Sequence, residues 1–77
     1  MPDALVNIDL DRERNLREIA DEIAKISNVQ WARLVLGPDD VIAYIETANW
    51  LELETTLFEI GAVDGVVKTD SRILFPK

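Results

Sequence analysis

The sequence predicts an α+β fold, in which four antiparallel strands form one sheet and two helices cover one of its faces. Two observations predict this fold. First, segments with alternating apolar residues and segments with helical apolar spacing follow one another in the order β-α-β-β-α-β. Second, both strands of the central hairpin carry apolar residues on both faces, which indicates that the second face of the sheet is also covered.

The first strand is predicted over Ala4 to Leu10, because alternate residues along it are apolar. Asp11 is the predicted N-cap of a helix from Arg12 to Ser27, since an aspartate side chain accepts hydrogen bonds from first-turn amides. The apolar residues of this helix share one face, which predicts packing on the core: Leu16, Ile19, Ala20, Ile23 and Ile26. Asp9, Asp11 and Glu13 could bind a cation, but we assign them to the helix start, where acidic residues are favoured.

The central hairpin is predicted from strands Val29–Leu36 and Val41–Ile45. The residues between them, Gly37-Pro38-Asp39-Asp40, break regular structure because glycine permits unusual backbone angles and proline lacks an amide donor. Both strands carry large apolar residues on both faces. In a chain this short, we expect a second subunit to cover the face that the helices leave open.

The second half repeats the pattern of strand and helix. Asn49 is the predicted N-cap of a helix from Trp50 to Ile60, whose core-facing residues are Leu53, Leu57 and Ile60. Gly61 is predicted to end this helix. After a turn at Asp64-Gly65, the last strand runs from Val66 to Phe75. With right-handed crossovers this order gives the split β-α-β, or ferredoxin-like, sandwich, with antiparallel strand order 4-1-3-2.

Composition limits the classes of function. The 77 residues make one domain (1–77) with a small core, so oligomerisation is expected to add stability. The chain has no Cys and no His, which leaves no disulfide, no thiolate metal site and no histidine base. A net charge of −7 argues against direct nucleic-acid binding. No apolar run approaches the roughly 20 residues of a membrane span, so no membrane partner is expected. Met1-Pro2-Asp3 lacks the basic and apolar stretches of a signal peptide, so a cytoplasmic location is expected. No cofactor is expected.

Two motifs resemble the C-terminal effector domain (RAM domain) of the leucine-responsive regulatory protein, or Lrp/AsnC, family. That family has a Gly-x-Tyr-Asp turn before an apolar strand ending in Glu, which corresponds here to Gly37–Glu46. It also has Gly-Val and then Thr-x-Thr in the last strand, corresponding to Gly65-Val66 and Thr69-Asp70-Ser71. The resemblance covers Ala4 to Phe75. The turn tyrosine of the family is replaced here by Asp39.

The resemblance implies a module that binds an amino-acid-like effector and takes part in transcription regulation of amino-acid metabolism. The sequence begins at the first strand, so it resembles stand-alone members without the helix-turn-helix, which assemble with themselves or with full-length DNA-binding relatives. Family domains dimerise through their open sheet faces, and the dimers form rings, commonly octamers, with effectors between dimers. The matched ligand-binding positions are Leu36, Gly37, Pro38, Asp39, Asp40, Thr69 and Ser71.

Chemistry also makes the turn a candidate site, because its amides suit a carboxylate and Asp39 or Asp40 suits an ammonium group. The alternative is a solvated hairpin tip, with Thr69 and Ser71 as ordinary strand hydroxyls. A second function remains open: a scaffold module of the same fold that binds only protein, for example a peptide at the sheet edge. An enzyme is not expected, because no Ser or Lys is set beside a His or Cys.

Overall fold

The computed structural model describes residues 2–75, and it confirms the predicted order of elements and the ferredoxin-like fold. The strands are β1 (Asp3–Leu10), β2 (Val29–Leu34), β3 (Val41–Glu46) and β4 (Val66–Leu74), and the helices are α1 (Leu16–Ala24) and α2 (Trp50–Gly61). The sheet order is β2-β3-β1-β4 with every pair antiparallel, which is the predicted order read from the other edge. Neither of these two helices is long and apolar enough to cross a membrane.

The core lies between one face of the sheet and the two helices. Along β1 the side chains alternate between half-buried and fully buried, and its buried residues are Ala4, Val6, Ile8 and Leu10. Ile23 of α1 and Ile60 of α2 are fully buried against this face. The alternation in β1 therefore directs every second side chain into the core, as the sequence predicts.

Helix α1 begins later and ends earlier than the sequence predicts. Its N-cap is Asn15, whose side chain accepts a hydrogen bond from the Glu18 amide at 3.2 Å, so the assignment of Asp11 as the cap is wrong. Asp11 instead accepts from the Glu13 amide at 3.1 Å, within the turn that carries the chain from the sheet to the helix layer. Asp9 consequently belongs to β1 and not to a helix start. The helix ends at Ala24 rather than at Ser27.

The predicted cap of α2 is confirmed. The Asn49 side chain accepts a hydrogen bond from the Glu52 amide at 2.8 Å, and Glu52 accepts in return from the Ala48 amide at 3.1 Å. These two bonds satisfy amides that have no partner within the helix. Helix α2 ends at Gly61 with its backbone still right-handed at the following Ala62. The left-handed glycine of this region is Gly65, with φ of 99°.

The sheet face opposite the helices, here called the open face, is covered by no element of residues 2–75. Its side chains are Asp3, Leu5, Asn7, Asp9, Trp31, Arg33, Ile42, Tyr44, Glu46, Lys68, Asp70, Arg72 and Leu74. The rings of Trp31 and Tyr44 lie 6.0 Å apart between centroids, and the Arg33 guanidinium lies 5.4 Å from the Trp31 ring. Burial and a hydrogen bond to Asp3 raise the pKa of the Tyr44 hydroxyl, which donates to that carboxylate at 3.2 Å. The open face thus combines an aromatic centre with charges of both signs.

Candidate functional site

The hairpin between β2 and β3 is closed by one backbone hydrogen bond, from the Val35 amide to the Asp40 carbonyl at 3.0 Å. The four residues inside it, Leu36 to Asp39, form what we call the hairpin tip. Leu36, Gly37 and Pro38 are exposed, and the Leu36 side chain has no protection from solvent at all. Asp39 is half-buried. The tip therefore presents its backbone and one carboxylate at the end of the sheet.

Asp40 is held inside the protein by partners on β1. Its amide donates to the Ile8 carbonyl at 3.0 Å, and its Oδ2 accepts from the Leu10 amide at 2.9 Å. Its Oδ1 accepts from the Arg12 side chain at 3.0 Å, and the residue is 8% exposed. The carboxylate thus extends the pairing of β1 with β3 by one position beyond the last backbone pair, Ile8 with Val41. Asp40 is thus buried and bonded within the fold, whereas Asp39 is the more accessible of the two turn carboxylates.

Replacing Asp40 with alanine is expected to lower the free energy of unfolding. The change leaves the Leu10 amide buried without an acceptor, and loss of a hydrogen bond to a charged group costs about 1.5–3 kcal/mol. A thermal melt should show the Tm fall by roughly 10 °C. Asp64→Ala is the matched control, because Asp64 also pairs with an arginine, Arg14, at 3.0 Å but is exposed. An Asp40→Ala protein as stable as the Asp64→Ala protein would contradict this structural role.

Asp39 lies among charged side chains of the open face. Partial burial, the neighbouring Asp9 carboxyl and the negative charge of Asp70 raise the pKa of Asp39, whereas the Arg72 guanidinium lowers it. The Oδ1 atom of Asp9 is buried, and residues 2–75 offer it no hydrogen-bond partner. No group of three or more Asp, Glu, His or Cys residues in this part of the chain is arranged to hold a metal ion. The arrangement suits a proton or a cationic hydrogen-bond donor.

Thr69 and Ser71 lie on the other side of the sheet. In the pairing of β4 with β1 they stand opposite Ile8 and Val6, whose side chains point into the core. Directly paired residues share a face, so the two hydroxyls are on the helix side, along the free edge of β4. Asp39 is on the open-face side. Within one chain the structure therefore does not bring the two halves of the predicted site together.

Sequence reasoning missed two residues beside the tip. Arg12 contacts the turn across 28 positions of sequence, and no local pattern predicts such a contact. Asp9 could have been found, because it follows Ile8 in an alternating strand and so must point away from the core. The assignment of Asp9 to a helix start hid that signal.

A cleft of about 620 Å³ lies away from the hairpin tip, between α1 and the turn before β4. The Arg14 side chain donates to Asp64 across it at 3.0 Å, and this hydrogen bond lowers the pKa of Asp64. The cleft is also lined by Glu18, Glu22 and Lys25. Its walls are mainly solvent-exposed charged side chains of one helix face, and none of the predicted ligand positions contributes to them.

Comparison with protein families gives one clear match. A family model described as the Lrp/AsnC ligand binding domain matches residues 3–76 of the 77-residue chain. A search of curated proteins gave no significant match. The matched segment includes the hairpin tip and β4, and it agrees with the resemblance seen in the sequence motifs.

Solved structures with the same fold fall into two groups. TTHA0845 from Thermus thermophilus aligns with a TM-score of 0.90 and 26% identity, over 100% of this chain and 96% of that one. E. coli AsnC aligns with a TM-score of 0.87 and 14% identity, over 99% of this chain and 52% of that one. The transcriptional regulator NMB0573 from Neisseria meningitidis, solved in complex with L-Met, aligns with a TM-score of 0.84 and 14% identity, over 99% and 51%. This chain spans about half the length of the last two, whose likeness shows the fold alone.

Proposed function

Because this chain belongs to the Lrp/AsnC ligand-binding domain family, we propose that it is a cytoplasmic effector-binding module for a small amino acid or related metabolite, and that it regulates transcription through a DNA-binding partner. The observation that carries the proposal is the family match over residues 3–76. The L-Met complex of a regulator with the same fold supports an α-amino acid as the class of ligand.

The separation of Asp39 from the β4 hydroxyls favours a ligand site between subunits. An α-amino acid carries an ammonium and a carboxylate on the same carbon atom, and both need hydrogen-bond partners when water is removed. Asp39 and the tip amides supply an acceptor and donors, while Thr69 and Ser71 supply hydroxyls on the opposite side of the sheet. A tip from one subunit placed against the β4 edge of another would combine them. The proposed effector therefore binds at a junction of subunits.

The open face is the proposed dimer interface. Aromatic and aliphatic side chains occupy its middle, and aromatic residues are the usual anchors of protein interfaces. Acidic and basic residues are both present on it, so two copies related by a two-fold axis can pair opposite charges. Such dimers would then form a ring by contacts at the tip and the β4 edge. The proposed ring places each tip next to a neighbouring dimer.

Ligand binding is tested by melting the protein with each of the twenty amino acids and measuring its mass by light scattering. A ligand at ten times its Kd should raise the free energy of unfolding by about 1.4 kcal/mol and the Tm by roughly 6–11 °C. Asp39→Ala should reduce this shift at the same ligand concentration, because the ammonium loses its acceptor. Asp21→Ala, which removes the same charge from the exposed side of α1, should leave the shift unchanged.

The alternative function gives a different result in the same experiment. A scaffold module that binds only protein would form an oligomer whose Tm and mass respond to none of the amino acids. A stable monomer would contradict both the proposed dimer and the proposed site between subunits. If the ligand still raises the Tm of Asp39→Ala but no longer raises that of Thr69→Val, the sensor function is supported. In that case the ammonium group does not bind at the hairpin tip.

A further inference from the structure

We propose that Asp9 and Asp39 form a carboxyl pair that takes up one proton and thereby fastens the hairpin tip to the end of β1. The pair would make the position of the tip sensitive to pH without any bound effector. This inference goes beyond the proposed function, and it rests only on contacts within one chain.

The backbone places Asp39 beside Asp9, and the Asp9 carboxyl is one of the neighbours that raise the pKa of Asp39. Asp40 is bonded to β1 on both sides of Asp9, through the Ile8 carbonyl at 3.0 Å and the Leu10 amide at 2.9 Å. Asp39 is the residue before Asp40, so it cannot move far from Asp9 while these bonds hold. One oxygen of Asp9 is buried without a hydrogen-bond partner among residues 2–75. A protonated Asp39 supplies the donor that the pair lacks, because a carboxylic acid has an O–H group.

Charged groups of both signs surround the pair, and Lys68 stands directly opposite Asp9 in the pairing of β4 with β1. Those facing it are Lys68, Asp70 and Arg72 of β4, with Asp40 and Arg12 at the base of the tip. Arg72 favours the charged form of Asp39, but Asp70 opposes it and lies within 4.0 Å of the same guanidinium. The Arg12 side chain already donates a hydrogen bond to Asp40. The net effect is that the pKa of Asp39 is raised above its ordinary value.

The sign of the pH effect follows from this direction. The folded chain holds the Asp39 proton to a higher pH than the unfolded chain does, so its contribution to stability is complete below the unfolded pKa. That contribution is lost as the pH rises through the folded pKa. Above it Asp39 is charged, and repulsion between the two carboxylates pushes the Asp39 side chain and the tip residues before it away from Asp9, while Asp40 stays bonded to β1.

The proposal is tested by NMR on the protein without ligand. Titration of the aspartate side-chain carbons should show Asp39 titrating above an ordinary aspartate, and Asp9→Asn should return it toward the ordinary value. Order parameters of the Gly37 and Asp39 amides should rise on acidification in the wild type. In Asp39→Asn they should stay high at every pH, because the amide donates to Asp9 as the protonated acid does.

Stability gives an independent readout. Asp39→Asn should have a higher Tm than the wild type near pH 7, and the difference should shrink as the pH approaches the ordinary aspartate pKa of about 3.9. Asp21→Asn, on the exposed side of α1, should show no such pH-dependent difference. An Asp39 that titrates normally, or a titration that Asp9→Asn does not move, would overturn the proposal. If no amino acid changes the Tm of the wild type but Asp39 still titrates above an ordinary aspartate, only the proposed function is overturned.

Discussion

Replacing Gly65 with alanine is expected to lower the free energy of unfolding by about 2 kcal/mol or more. Its φ of 99° disfavours any residue with a Cβ atom, at a cost of roughly 1–2 kcal/mol. The new Cβ would overlap Ile19 Cδ1 and lie 3.0 Å from Cγ1, and overpacking of this kind costs about 1–3 kcal/mol. Ile19 is 4% exposed, and the Gly65 carbonyl is fixed by the Asp11 amide at 2.8 Å, so neither side can move away freely. Thermal melts should show a Tm lower by roughly 10–20 °C.

Gly61→Ala is the matched control, because no atom lies within 4 Å of the Cβ that it would add and its backbone is helical. Alanine favours a helix over glycine by up to about 1 kcal/mol, so this variant should be as stable as the wild type or more stable. Adding Ile19→Val to Gly65→Ala separates the two causes, since valine lacks the Cδ1 atom. The double variant should then lose less than the sum of the single losses. If the losses of the two single variants are additive, the contact with Ile19 does not contribute to the destabilisation by Gly65→Ala.

Tyr44→Lys is expected to convert the proposed oligomer into monomers of 8.7 kDa. Tyr44 lies on the open face, paired with Leu5 of β1 and Trp31 of β2. Each dimer would bury two lysine ammonium groups, and even for a lysine paired with Asp3 the cost of removing the charges from water can exceed the attraction between them. In the monomer the lysine stays solvated beside Asp3, so the fold itself is kept. Light scattering should show the mass fall to that of one chain while circular dichroism stays unchanged.

Phe58→Lys places the same charge on α2, where the phenylalanine is 80% exposed on the helix side of the fold. This variant should keep the wild-type dimer, because the open face is untouched. A Tyr44→Lys protein with wild-type mass would contradict dimerisation through the open face. If Phe58→Lys is monomeric while Tyr44→Lys still forms oligomers, the dimer interface is on the helix side of the fold.

Local patterns were sufficient wherever a structural choice depended on neighbouring residues. The alternation of Val6 and Ile8 predicts which side of β1 is buried, and the N-cap at Asn49 is fixed by the amide three residues later. The first helix shows the limit of this reasoning. Asp11 and Asn15 can both cap a helix, and the choice depends on how many residues the chain needs to reach the helix layer from the sheet. That number is set by packing and not by propensity.

The candidate site shows the same division. Local sequence patterns fix the element order and the apolar residues on both faces, because hydrophobic periodicity is a local property. The sheet order follows from that element order and the preference for right-handed crossovers. The three-dimensional fold was needed to show that Asp40 bonds to β1, that Asp39 lies beside Asp9, and that Thr69 and Ser71 are on the other side of the sheet. These contacts join residues about 30 or more positions apart, and strand register and turn geometry set them. Two adjacent aspartates with the same chemistry thus take different roles, since the backbone turns one carboxylate inward and leaves the other beside the open face.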